Sequence, residues 1–351
     1  MPTTTPIRTG IIGFGLSGRV FHAPFIATNP AFRLDLISTS SPERAAEARA
    51  QHPGAEIVSS PDDLLARAGD LDLVVLASPA HTHLAQGLAA LEAGAGIVID
   101  KPFVPTVVEA KKLIAKSEEV GKLLAVFQNR RWDGDFLTVK RLLGEGVLGD
   151  IHRFESTFER WGGANRDRWQ DTTTVDQGAG ITYDLGSHLI DQALQLFGPA
   201  TVEAAELQTV RDGSVSDDDA FISLLHSSGV RSHITVSRVA GQSGPRFRVL
   251  GSQGAYKVYG LDNQEPALKL QQWPGSEGYG VTPESEWGLI GIDSADAALT
   301  PVPTENGDYP AFYAGVAASI LHGAPSPVDP RDALEVVRII ERAHALSQLA
   351  G

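Results

Sequence analysis

Residues 10–25 read GIIGFGLSGRVFHAPF and hold three glycines, Gly13, Gly15 and Gly18, in the spacing G-x-G-x-x-G. The apolar run RTGIIGF before the turn predicts a buried strand, and the residues after it predict a helix. In this setting Gly13 permits a tight turn, Gly15 lets the backbone approach a pyrophosphate, and Gly18 lets helix and strand pack closely. We therefore expect a dinucleotide site here; the alternative is a purely structural glycine turn.

The chain around this turn alternates between two kinds of segment. The apolar runs FRLDLIST, LDLVVLAS, AGIVID and KLLAVFQ predict buried strands, whereas SPERAAEARAQ, SPDDLLARAG, HTHLAQGLAALEAG and TVVEAKKLIAKSEEVG predict helices. Two of these helices open on Ser-Pro, and the last three end in glycine. Alternating strands and helices predict an α/β fold, a doubly wound Rossmann domain over residues 1–125.

The second part of the chain has a different texture. The segments DIHRFESTFERW, FISLLHSSGVRSHITVSRV and RFRVLGSQGAYKVYG predict longer strands joined by hairpin turns. A helical segment, GITYDLGSHLIDQALQLFG, interrupts them, and RDALEVVRIIERAHALSQLAG ends the chain. We expect residues 126–351 to form an α+β domain on an open, largely antiparallel sheet, and to bind substrate.

Composition excludes several classes of function. The 351 residues carry a formal net charge of −14, which argues against a nucleic-acid-binding surface. There is no cysteine, so disulfides and thiolate chemistry are excluded and redox chemistry would need a bound cofactor. No apolar run approaches the ~20 residues of a membrane helix, and MPTTTPIRTG does not resemble a signal peptide. We expect a cytoplasmic protein without a membrane or nucleic-acid partner.

The end of the second predicted strand, ISTSSPER, bears on the choice of cofactor. An NAD site usually has an acidic residue about 20 positions beyond the glycines, whereas an NADP site replaces it and adds a basic group. Here Ser38, Thr39 and Ser40 offer hydroxyls, and Arg44 could reach a 2′-phosphate. The sequence favours NADP(H), with NAD(H) as the alternative and a solvated helix arginine as the other interpretation of Arg44.

Two further strand ends, SPAHTHLAQ and DKPF, lie where open α/β sheets bind ligands. His81 and His83 invite a metal hypothesis, but without carboxylate or thiolate neighbours we expect no metal. Lys101, on a rigid turn before proline, could polarise a carbonyl or alcohol; the alternative is an exposed lysine. The expected cofactor contacts are Gly13, Phe14, Gly15, Ser17, Gly18, Ser38, Thr39, Ser40, Arg44, Ser78, Pro79, His83, Asp100 and Lys101.

A helix in the second domain carries a candidate acid–base pair. Asp184 and His188 are four residues apart and Asp191 follows after three more, so a helix presents them on one face. Histidine commonly takes a hydroxyl proton near neutral pH, and a carboxylate one turn away can orient it. The alternative is a polar helix face bonded in a contact between domains.

These motifs together resemble one known family. The glycine turn, S-P-x-x-x-H at Ser78–His83, acid-Lys-Pro at Asp100–Pro102 and the later Asp184-x-x-x-His188 are similar to the glucose-fructose oxidoreductase/inositol dehydrogenase (Gfo/Idh/MocA) family across nearly the whole chain. That family usually has glutamate before the lysine, where this chain has Asp100. The segments GLSGRVFHAPFI, DKPF, FQNRRWDGDF and YDLGSHLIDQALQLFG look most like bacterial oxidoreductases related to scyllo-inositol dehydrogenase.

The resemblance implies Lys101, Asp184 and His188 as the catalytic set, and pairing of subunits through the open sheet as a homodimer or homotetramer. Oxidising a secondary alcohol needs a base, an oxyanion stabiliser and a nicotinamide at one carbon, roles that we expect of His188, Lys101 and the cofactor, with Asp184 orienting the base. Candidate substrate contacts are Asn129, Arg130, Arg131, Trp132, Arg168, Trp169 and Tyr183, although an arginine among them could instead make structural salt bridges.

The predicted function is a nicotinamide-dependent oxidoreductase that interconverts a secondary alcohol and a ketone of a cyclic polyol, such as an inositol, or of a sugar. Relatives with two other activities leave alternatives open. One is a glycosidase that uses bound nicotinamide transiently, and the other is a non-catalytic cofactor-binding regulator. A regulator has no need to keep Lys101, Asp184 and His188 together.

Overall fold

The chain divides into two structural units in the computed structural model, which describes residues 5–163, 172–294 and 298–350. The first unit contains residues up to Asn129, together with Gln264–Tyr279 and Tyr309–Leu334 from later in the chain. The second unit contains Arg130–Asn263, Gly280–Asp308 and the residues from Glu335 onward.

The first unit is built on six parallel strands. Their order in the sheet is β3-β2-β1-β4-β5-β6, the order of a dinucleotide-binding doubly wound sheet. The predicted Rossmann domain is therefore confirmed. The strands are β1 (Ile7–Ile12), β2 (Phe32–Ser38), β3 (Glu56–Val58), β4 (Leu73–Leu76), β5 (Gly96–Asp100) and β6 (Leu124–Phe127).

The second unit is built on an eight-stranded sheet in the order β14-β13-β12-β11-β7-β10-β9-β8. Strand β7 pairs parallel with β10, and the other neighbouring strands pair antiparallel, as the prediction of a largely antiparallel sheet requires. The strands are β7 (Ile151–Glu159), β8 (Ala200–Gln208), β9 (Asp219–His226), β10 (Arg231–Ser237), β11 (Phe247–Gly251), β12 (Gly254–Val258), β13 (Gly288–Gly291) and β14 (Thr300–Val302).

The helices begin and end where local chemistry directs. The Ser41 hydroxyl accepts a hydrogen bond from the Arg44 amide and caps a helix whose first residue is proline. The described α-helices are α1 (Ala23–Thr28), α2 (Pro42–Gln51), α3 (Pro61–Leu65), α4 (His83–Glu92), α5 (Val107–Val120), α6 (Gly134–Glu145), α7 (Ser187–Phe197), α8 (Gln264–Lys269), α9 (Pro310–His322) and α10 (Pro330–Ala350). None of these helices is both long and apolar enough to span a membrane.

Two of the predicted helices begin with a wider turn than the sequence indicates. Ser17–His22, which contains the last of the three glycines, is π-helical and leads into α1. Thr182–Gly186 is also π-helical and leads into α7. Such turns occur frequently at functional sites, and both lie in segments that carry candidate site residues.

Aromatic packing joins the later segments of the chain to the first unit. The ring of Phe127, at the end of β6, lies 4.9 Å from the ring of Phe312 in α9. The neighbouring Tyr313 stacks on Phe25 of α1, with centroids 6.1 Å apart and planes 17° apart. All four side chains are almost fully buried, so α9 is part of the core of the first unit. In the second unit, helices α6, α7 and α10 supply residues to one core with the larger sheet.

Candidate active site

The glycine-rich turn has the shape that a dinucleotide needs. Gly13 has a φ of +93°, and a Cβ there would lie 2.6 Å from the carbonyl oxygen of Ala77, while a Cβ at Gly18 would collide with the carbonyl oxygen of Gly13. Around Gly15, in contrast, the nearest atom to a Cβ would be a guanidinium nitrogen of Arg44 at 3.8 Å. Side chains are thus excluded where the chain closes on itself, and space is left where a pyrophosphate would lie.

The residues after β2 differ from one another in how exposed they are. Ser38 is buried, and its carbonyl accepts a hydrogen bond of 3.0 Å from the Gly13 amide, which ties the two strand ends together. Thr39 and Ser40 follow in a partly exposed turn, and Arg44 is exposed in the first turn of α2. The Arg44 guanidinium lies near Gly15 and so brings a cation between the glycine-rich turn and the turn after β2, where the sequence predicts the 2′-phosphate. Phe14 is buried, so only its backbone remains available to a cofactor.

His83 connects two loops rather than facing an open site. Its Nδ1 lies 2.8 Å from the carbonyl oxygen of Phe103, and its Nε2 lies 2.8 Å from the carbonyl oxygen of Ser78. The side chain is buried, and burial lowers the pKa of His83. His83 thus lies between the loop after β4 and the loop after β5, with each ring nitrogen within hydrogen-bond distance of a backbone oxygen, a position that spacing alone did not indicate.

The loop after β5 carries the predicted lysine. Asp100 is the last residue of β5, Lys101 follows it half-buried, and the Lys101–Pro102 peptide bond is cis. Burial alone would raise the pKa of Asp100, but attraction to His22 and Lys101 outweighs it, so that this pKa is lowered. The acid before the lysine is thus held as a carboxylate at the carboxyl end of the sheet.

In the second unit, Asp184 lies in the π-helical turn that precedes α7. Its Oδ2 accepts a hydrogen bond of 2.5 Å from Arg238 and lies 3.8 Å from a nitrogen of Arg160. His188, in the first turn of α7, is buried. The two arginines stabilise the charge of Asp184. Neither arginine could be predicted from the sequence, because Arg238 follows β10 and Arg160 follows β7 without a motif of its own. The orientation of His188 by Asp184 stays a prediction.

A second carboxylate anchors this same turn. The Asp217 side chain accepts a hydrogen bond of 2.8 Å from the Thr182 amide and a short one from the Thr182 hydroxyl. The Asp217 carbonyl also accepts a bond of 2.7 Å from the Ile181 amide. Asp217 is buried in the loop before β9. Although it is distant in sequence, it caps the first turn of the segment that carries Asp184. In the sequence, only the run of three aspartates at 217–219 hints at this capping role.

The predicted substrate segment Asn129–Trp132 is a 3₁₀ turn after β6, and its arginines make ion pairs. Arg131 makes two bonds, of 2.8 and 2.6 Å, to the carboxylate of Asp191, and Arg130 lies 3.1 Å from Asp133. Asp191, predicted to share a helix face with the catalytic pair, therefore binds Arg131. The Arg131–Asp191 pair joins Arg131 to α7, and the Arg130–Asp133 pair is local.

Of the remaining substrate candidates, the structure describes only Tyr183. The ring of Tyr183 is buried in the core of the second unit and stacks on His344, with centroids 6.0 Å apart. Its aromatic face is thus engaged with that core. Arg168 and Trp169 lie outside the described residues.

The fold and the turn around Gly15 define a class of protein, in which an NAD-binding Rossmann domain is joined to an α+β domain. Family comparison agrees: residues 7–128 match the model "Oxidoreductase family, NAD-binding Rossmann fold", and residues 136–257 match the model "GFO/IDH/MocA C-terminal domain". The chain belongs to the Gfo/Idh/MocA family and is an oxidoreductase.

Relatives match over almost the full chain. The uncharacterized oxidoreductase YdgJ of Escherichia coli K12 is 38% identical over 95% of this chain and 94% of its own length. The scyllo-inositol 2-dehydrogenase (NADP(+)) IolW of Bacillus subtilis is 33% identical over 96% of this chain and 92% of its own. Among solved structures, yvaA of Bacillus subtilis is 32% identical, with a TM-score of 0.91 over 100% of this chain and 98% of its own.

Proposed function

We propose that this oxidoreductase is a dehydrogenase that prefers NADP(H) and interconverts a secondary alcohol and a ketone of a cyclic polyol or a sugar. The observation that carries the proposal lies within the first unit. Lys101 follows β5 and the glycine-rich turn follows β1, so a cation and the cofactor turn lie at the carboxyl edge of one parallel sheet. Ligands of open α/β sheets bind at that edge.

The proposed chemistry assigns one task to each side chain. The nicotinamide, when bound, supplies the acceptor or donor of hydride. His188 takes the hydroxyl proton of the alcohol during oxidation and returns it during reduction. Lys101 donates a hydrogen bond to the same oxygen and stabilises its developing negative charge. Asp184, held by two arginines, keeps a negative charge on the turn before His188 and favours the protonated imidazole.

The preference for NADP(H) is supported by the turn after β2. Residues 38–41 are all serine or threonine, so no carboxylate repels a 2′-phosphate there. The Arg44 guanidinium lies beside Gly15 and can donate charge-assisted hydrogen bonds to that phosphate. The relative IolW is named as an NADP(+) enzyme, which agrees with this assignment.

Substrate hydroxyls are proposed to contact the Asn129–Trp132 turn. Arg131 donates two hydrogen bonds to the carboxylate of Asp191. The ion pair holds the arginine rigidly, which favours selective hydrogen bonding to a polyol over loose binding. Such a site matches a substrate rich in hydroxyl groups.

A spectrophotometric screen tests the proposal. The native chain is incubated with inositols, sugars and glycosides in the presence of NADP⁺ or NAD⁺, and the absorbance of reduced nicotinamide is followed. We expect reduction of NADP⁺ with at least one polyol or sugar. Glycoside cleavage without a net absorbance change would indicate the glycosidase. Cofactor binding without turnover in either direction would indicate the regulator, and either outcome rejects the dehydrogenase.

A further inference from the structure

A row of two buried side chains, from distant parts of the first unit, leads to Asp100. His22 ends the π-helical turn that contains the last of the glycines, and Tyr313 lies in α9, 291 residues later. His22 Nδ1 lies 2.7 Å from the Tyr313 hydroxyl, and His22 Nε2 lies 3.6 Å from Asp100 Oδ1. The His22 ring is completely buried and also packs against Phe127, with centroids 4.6 Å apart. The three polar groups therefore form a chain that ends beside Lys101.

The groups at the two ends of this row, Tyr313 and Asp100, determine which nitrogen of His22 carries the proton. Burial, together with the charge of Asp100, raises the pKa of Tyr313 well above its ordinary value, so the phenol keeps its proton. A bare imidazole nitrogen facing a carboxylate oxygen would be repelled, so Nε2 must carry the proton that faces Asp100. Nδ1 is then the acceptor for the Tyr313 hydroxyl.

We propose that His22 and Tyr313 are positioning residues for the lysine loop: Tyr313 fixes the His22 ring as its Nε2–H tautomer, and His22 holds the Asp100 carboxylate. At 3.6 Å the contact with Asp100 is a charge–dipole attraction, longer than a hydrogen bond. The carboxylate also faces Lys101, and its charge reaches His83. His22 thereby sets how much of that charge acts on the Lys101 ammonium. The inference rests on the proposed function for the role of Lys101.

The tautomer can be measured directly by ¹⁵N NMR of the full chain labelled at its histidines. The chain has ten histidines, and a His22→Gln variant assigns the His22 signals by difference. We expect a protonated Nε2 and an unprotonated Nδ1, and a shift of the Nδ1 resonance in Tyr313→Phe. The control Tyr256→Phe removes a buried hydroxyl that has no hydrogen-bond partner within the described residues, and it should leave His22 unchanged. A protonated Nδ1 would overturn the proposal.

The effect on Lys101 can be measured by its rate of labelling with trinitrobenzenesulfonate, followed by peptide mass spectrometry. Glutamine places its amide nitrogen near the Nε2 position of histidine, and asparagine places it near Nδ1. His22→Gln should therefore keep the rate near native. His22→Asn withdraws the donor from Asp100, whose charge then acts more strongly on the ammonium, so labelling should slow by about threefold or more.

Equal labelling rates in the native chain, His22→Gln and His22→Asn would refute the positioning role. Thermal unfolding shows whether each variant folds. If both His22 variants fail to fold, Tyr313→Phe, which removes a single oxygen atom, must still slow the labelling, and an unchanged rate refutes the proposal. Neither measurement uses nicotinamide or a substrate, so a failure of the proposed dehydrogenase activity would be seen separately.

Discussion

Replacing Arg44 by alanine should lower the affinity for NADPH and leave the affinity for NADH nearly unchanged. A charge-assisted hydrogen bond contributes roughly 1.5–3 kcal/mol. Arg44 is exposed at the start of α2, so solvent screening places the expected loss at the lower end of that range. A loss of about 1.4 kcal/mol corresponds to about a tenfold rise in the Kd for NADPH.

The assay is titration of nicotinamide fluorescence with each cofactor, at low and at high salt. Arg49→Ala is a matched control, because Arg49 is exposed on the same helix and its loss changes the net charge equally. The Kd for NADH divided by the Kd for NADPH should be smaller in Arg44→Ala than in the native chain and unchanged in Arg49→Ala. In the native chain this ratio should also decrease at high salt. A native preference for NADH, or the same ratio in Arg44→Ala as in the native chain, would refute the assignment.

Three further predictions concern the second unit and the buried histidines. His188→Ala should lower kcat by about 10²–10⁴-fold with an unchanged Kd for the cofactor, because only proton transfer is lost. Asp217→Asn should lower the free energy of unfolding by about 1–3 kcal/mol in urea titrations, since a buried charge no longer accepts two hydrogen bonds. Burial lowers the pKa values of three histidines, His83, His226 and His344. Below about pH 6.5 the unfolded chain therefore binds more protons than the folded chain. As the pH falls through this range, the free energy of unfolding should decrease by up to about 1.4 kcal/mol per pH unit for each histidine.

Each of these three has an outcome that contradicts it. Equal losses of cofactor binding and turnover in His188→Ala would make that histidine structural. Asp176→Asn, at an exposed acid near the same turn, should leave stability unchanged, and a loss equal to that of Asp217→Asn would remove the argument for capping. A free energy of unfolding that stays constant from pH 7 to pH 5 would show that the buried histidines keep ordinary pKa values.

Much of the fold could be predicted from the sequence because its signals are local. The glycine spacing requires particular backbone conformations, such as the positive φ of Gly13, wherever the turn lies. Caps such as Ser41 act on amides a few residues away, and the apolar runs match the buried strands of the parallel sheet. The strand-end position of Lys101 and the helical spacing of Asp184 and His188 made them candidates, and the resemblance to a family implied that they form the catalytic set.

The contacts that organise the candidate site depend on tertiary structure. Arg131 and its partner Asp191 are 60 residues apart, and Asp217 caps a turn 35 residues before it. His22 meets Tyr313 only because α9 packs into the first unit, long after the Rossmann strands have ended. Local propensity determines each helix and strand by itself, whereas the burial of a charged side chain beside its partner is decided by the path of the whole chain.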